Sequence, residues 1–125
     1  MSLGNLNSLK LRAWARDVRI AFGGNIYLVG SATKTKEWRD VDVVCMLNLE
    51  EYTKLFGDSY GHGNLKWEVL CTAVCIWGTE VTGLPIDFKF QEIELANETH
   101  KGNREPLSTS LDTIKKGYPL RTDKK

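Results

Sequence analysis

The run Asp40-Val-Asp-Val-Val-Cys-Met-Leu47 constrains this chain more than any other segment. After its two aspartates it is apolar without interruption and rich in valine, which suits a pleated backbone. An apolar run of strand length reads as a strand buried on both faces, at the centre of a sheet that helices must cover. Its acidic residues stand only at the start. The flanking segments supply the covering layers. Leu6, Leu9, Ala13, Trp14, Val18 and Ala21 recur at steps of three and four, which predicts a first helix from Leu6 to Phe22, ended by Gly23-Gly24. Asn25 to Gly30 is a short apolar strand. Glu50 to Phe56 reads as a short helix, and Asp58 to Asn64 as a glycine-rich loop. Trp67, Leu70, Cys71, Val74, Cys75, Trp77 and Val81 mark a second long helix from Leu65 to Gly83. Leu84 to Phe90 alternates as a third strand, with Pro85 at its opening, where a strand tolerates it. The expected class is α/β (α+β), a small mixed β-sheet with helices packed on it.

Composition narrows the setting. At 125 residues with 42% hydrophobic side chains, the chain can bury a core as one domain without disulfides or a structural metal. Its three cysteines, Cys45, Cys71 and Cys75, lie in apolar stretches and read as buried thiols of a reducing compartment. No apolar run approaches the roughly 18 residues of a membrane helix, and Met1 to Lys10 lacks a signal-peptide pattern. A cytoplasmic protein without membrane contact is expected. The net charge of +1 provides no global field for nucleic acid or membrane. Apolar density falls after Leu95, which predicts a domain over residues 1–96 and a polar, mobile tail over residues 97–125. That tail holds seven Lys or Arg against four Asp or Glu.

Three features at strand edges carry chemistry: Gly30-Ser31 after the first strand, Asp40 and Asp42 on the second, and Asp87 on the third. Residues two apart on a strand point to one face, so Asp40 and Asp42 project together, and an adjacent strand can bring Asp87 beside them. Crowded carboxylates repel one another and resist desolvation. Divalent cations relieve that cost, and Mg²⁺, or Mn²⁺ in its place, is the expected partner of an all-oxygen set. Gly30 lets the backbone approach a phosphate and the Ser31 hydroxyl can donate to it. Lys34, Lys36 and Arg39 follow closely enough to neutralise phosphate charge. Trp38 either stacks on a base or caps the sheet edge.

Val29-Gly30-Ser31, then Asp40-Val41-Asp42-Val43, then Pro85-Ile86-Asp87-Phe88 resembles the pattern of minimal nucleotidyltransferase domains of the DNA polymerase beta superfamily. The likeness covers roughly residues 5 to 95. It implies metal-dependent transfer of a nucleoside monophosphate from an NTP, such as ATP, to an acceptor hydroxyl or phosphate, with release of pyrophosphate. Asp40, Asp42 and Asp87 would ligate magnesium and serve catalysis, with Asp87 taking up the acceptor's proton. Gly30 and Ser31 would hold the terminal phosphates, with Lys34, Lys36 and Arg39 as basic support. One departure is plain: an arginine-rich turn with a second glycine is replaced here by Ala32-Thr33-Lys34-Thr35-Lys36. The likeness also implies a separate helical partner chain, as in antitoxins that modify their toxin, or a homo-oligomer. The competing reading is a catalytically inactive module of the same fold that binds nucleotide or a partner.

Overall fold

The computed structural model describes residues 5–30, 40–99, 102 and 104–109. Its elements are α1 (Asn5–Phe22), β1 (Asn25–Val29), β2 (Val41–Leu47), α2 (Leu49–Phe56), α3 (Leu65–Thr82), β3 (Ile86–Glu92), α4 (Ile93–Thr99) and β4 (Arg104–Ser108), with a 3-10 turn at Gly61–Gly63. The strands form one mixed sheet in the order β3-β2-β1-β4. β1 is antiparallel to β2 and β4, and β2 is parallel to β3. This is the α+β architecture expected, with β2 inside the sheet.

Local chemistry starts the helices where they begin. Asn48 and Glu51 form a reciprocal capping box at α2, with bonds of 2.8 and 2.9 Å. The Asn64 carboxamide accepts from the Trp67 amide at 3.1 Å and caps α3. Glu92, buried at the end of β3, accepts from the amides of Glu94 and Leu95 and opens α4.

Alternation sorts the strands into two faces. Ile26 and Leu28, Val41, Val43, Cys45 and Leu47, and Ile86, Phe88 and Phe90 face the layer of α1, α2 and α3 and fill the main core with Leu11, Trp14 and Val18. At Gly78 of α3 the Trp14 ring of α1 leaves no room for a side chain: a Cβ there would lie 2.6 Å from that ring. The buried stripe of α1 is Leu11, Trp14, Ala15 and Val18, whereas Leu6, Leu9, Ala13 and Ala21 are exposed. At 100° per residue, Leu6, Leu9 and Ala13 lie on the opposite side of the helix from Leu11 and Val18, so the spacing in sequence spans two separate stripes. On α3, Trp77 and Val81 are also partly exposed rather than core, although Trp77 packs edge-on against Trp14.

The free edge of β3 is covered by side chains of α3 spaced one turn apart. Trp67 Nε1 donates to the Phe90 carbonyl at 2.8 Å, Phe90 N donates to Cys71 Sγ at 3.5 Å, Cys75 Sγ donates to the Ile86 carbonyl at 2.7 Å, and Ile86 N donates to Thr79 Oγ1 at 3.3 Å. The two helical cysteines are thus structural donors and acceptors. Burial pushes the Cys71 thiol up to about 11, which suits that role rather than nucleophilic chemistry.

The domain extends past residue 96. α4 continues through Thr99, and β4 pairs with β1 as an edge strand. Its polar residues are answered by α1: the buried Arg19 donates to Ser108 Oγ at 2.9 Å, and Arg12 lies 3.7 Å from Glu105. The remainder of the expected tail, residues 110–125, lies outside the described residues.

Candidate functional site

Register decides which polar side chains meet. Asp42 is paired with Asp87 across β2 and β3, Val29 with Asp42 across β1 and β2, and Arg104 with Val29 across β4 and β1. Directly paired residues share a face. Asp87, Asp42, Val29 and Arg104 therefore form one row across all four strands, on the side away from α1 and α3. Behind the row, Val44 and Met46 are covered by Ala96 of α4, with Tyr27, Val29 and Ile93 packed around them. The row itself lies where β1 ends and where β2 and β3 begin.

Asp42 is the most constrained member. Partial burial, then the charges of Asp87 and Asp40, raise its carboxyl above the usual carboxylate range, and the Lys89 ammonium offsets part of that rise. Gly30 stands directly against it. Its φ is +76°, and a Cβ there would lie 2.5 Å from Asp42 Oδ2. Only glycine brings the backbone this close to the carboxylate while holding that left-handed conformation. Asp40 is exposed just before β2, and its charge is felt at Asp42.

Two cations share this face. Lys89 Nζ lies 3.2 Å from Asp87 Oδ1 and 3.4 Å from Oδ2. Both side chains of that pair are more than two-fifths exposed, at 42% and 45%, so it adds little to stability, about 0–1 kcal/mol, and acts mainly on the local charge. Arg104 is held by α4: Nη1 donates to Asn97 Oδ1 at 2.6 Å and Nη2 to the Ala96 carbonyl at 3.4 Å. Neither cation figures among the expected site residues. Lys89 had a signal, because two residues beyond Asp87 on an alternating strand places it on the same face. Arg104 had none, because its strand is too polar to be read as one.

Of the expected residues, Gly30, Asp40, Asp42 and Asp87 thus converge on one end of the sheet. Ser31, Lys34, Lys36, Trp38 and Arg39 lie outside the described residues. Among the described residues, no three His, Cys, Asp or Glu side chains are gathered as a set able to enclose a metal ion. Magnesium does not demand such an enclosure, since it is commonly bound through one or two carboxylates together with substrate phosphates and waters. The opposed Asp42 and Asp87, oxygen donors under mutual repulsion, fit that mode of binding. Lys89 is the cation a metal would have to displace from Asp87.

No family model, no curated protein and no solved structure matches this chain, so the reading of the site rests on its own geometry.

Proposed function

We propose that the chain is a Mg²⁺-dependent nucleotidyltransferase that moves a nucleoside monophosphate from an NTP to an acceptor hydroxyl or phosphate. The observation that carries this reading is the opposition of Asp42 and Asp87 in register, with the Gly30 backbone against the Asp42 carboxylate. In the reaction the acceptor oxygen forms a bond to the α-phosphorus, the α–β anhydride bond breaks, and pyrophosphate leaves with its electron pair. Asp42 and Asp87 would hold the metal, with Asp40 at the rim. Mg²⁺, when bound, supplies neutralisation of phosphate charge. Gly30 would allow the polyphosphate to approach the backbone, and the sequence pattern suggests Ser31, Lys34, Lys36 and Arg39 for its further support. Asp87 would receive the acceptor's proton, with Lys89 Nζ beside it.

A second reading has its own support. Lys89 already balances Asp87, and no three-carboxylate set is assembled among the described residues, as suits a module that binds nucleotide or partner without catalysis.

One experiment separates the two. The purified chain is incubated with each labelled NTP, Mg²⁺ or Mn²⁺ and candidate acceptors, beside Asp42→Asn. Transfer that needs metal and falls by roughly 10²–10³-fold in the variant supports the enzyme. Nucleotide binding without transfer, unchanged in Asp42→Asn, supports the inactive module and refutes the enzyme.

A further inference from the structure

The row that holds the carboxylates ends, two strands away from Asp42, on Arg104. Two inter-strand spacings amount to about 10 Å. Between them lie Val29, which is apolar, and Gly30, which presents no side chain. The row thus runs from a negative end at Asp87 and Asp42 to a positive end at Arg104, with an uncharged stretch between. A polyphosphate drawn toward the carboxylates through a metal still needs a fixed cation farther along, since the carboxylates repel its distal charge.

Only Lys89 and Arg104 supply cations among the described strand residues of this face. Lys89 is drawn onto Asp87. Arg104 is held in place from behind: Asn97 Oδ1 and the Ala96 carbonyl, both at the C-terminal end of α4, accept from its two terminal nitrogens. A cation at a helix C-terminus is electrostatically favoured, and the two bonds fix the plane of the guanidinium. A planar guanidinium held in this way matches the oxygens of a phosphate better than a mobile ammonium does. The chain's departure from the arginine-rich turn of the family it resembles leaves room for such a cation from elsewhere in the sequence.

We infer that Arg104 is a phosphate-positioning residue, which holds the β- and γ-phosphates of the nucleotide, and then the pyrophosphate they become, at the β4 end of the open face. This inference rests on the nucleotidyltransferase reading for its substrate but not for its anion site.

The test is therefore direct binding of inorganic pyrophosphate with Mg²⁺ to the full chain, by calorimetry, for the wild type, Arg104→Gln and Arg104→Lys. The glutamine variant is expected to bind at least about tenfold more weakly, the loss of one charge-assisted contact, and the lysine variant to fall between the two. Where transfer is measurable, Arg104→Gln raises KM for the NTP and weakens pyrophosphate inhibition in step, a pairing that mere loosening of α4 would not produce. Pyrophosphate binding lost in Arg104→Gln, in a chain that transfers no nucleotide, sustains the anion site and overturns the transferase. Wild-type affinity in Arg104→Gln, or no pyrophosphate binding by the wild type, overturns the inference.

Discussion

The two faces of the sheet are made from the same strands, one residue out of step, and they differ in almost every physical respect. On the face toward α1 and α3, β2 and β3 present Val41, Val43, Cys45, Leu47, Ile86, Phe88 and Phe90, all buried. On the other, the neighbours of these residues are Asp42, Asp87, Lys89 and Gln91, all part-exposed, and only Val44 and Met46 are covered, by the short α4. Stability resides on the first face and charge on the second. The difference teaches why a carboxylate pair can persist here: the closed face supplies the burial that holds β2 beside β3, and the open face is left to hold Asp42 against Asp87 despite their repulsion.

The sharpest way to break this contrast is to change consecutive residues of β3. Phe88→Ala empties a site wedged between Trp14 and Phe90 and is expected to cost about 3–5 kcal/mol, read by urea unfolding. Its neighbour Asp87→Asn should change stability by less than about 1 kcal/mol, because the ion pair it breaks is exposed. Comparable losses in the two variants would dissolve the division of labour between the faces.

Gly30→Ala probes the seam where backbone meets carboxylate. The left-handed conformation costs a non-glycine residue about 1–2 kcal/mol, and the new methyl must also displace Asp42. A chemical-denaturation midpoint equal to that of the wild type would show that the close approach does not constrain the site.

The smallest effect expected is in pH dependence. Asp42 titrates above its unfolded value, so the folded state binds more protons across the interval just above the ordinary carboxylate pKa of about 4. Stability should therefore decline as pH rises through that interval, and Asp42→Asn should remove this component of the slope. Thermal melts of both proteins between about pH 3.5 and 6 measure it, and parallel curves would contradict the crowding of the carboxylates.

Much of this architecture is legible in the residues. The apolar run after Asp42 marks an interior strand, and the periodicity from Leu65 with its stop at Gly83 matches α3, which spans Leu65–Thr82 and is capped by Gly83. Both signals are strong because tertiary burial and local preference agree. β4 was illegible for the opposite reason. Arg104-Glu-Pro-Leu-Ser108 buries only Leu107 and Ser108 and relies on Arg12 and Arg19 of a helix about ninety residues earlier to satisfy its polar groups. No window of sequence contains both partners. The α1 stripe failed more subtly, since Leu6 and Leu9 have the right spacing to each other but the wrong phase relative to Trp14 and Val18. Within the site, the three aspartates and Gly30 could be singled out by their places on successive strands. Lys89 and Arg104 emerge only once register is known.

The row of Trp67, Cys71, Cys75 and Thr79 along β3 has a consequence for assembly. An exposed strand edge is a template on which another chain can add itself, and here the template beside Asp87 is already taken by the molecule's own side chains. A strand adding along β3 would have to displace the bonds these side chains make to Ile86 and Phe90. Among the described strands the other edge is β4, at the far end of the sheet, where an added strand would extend the structure without touching the acidic pair.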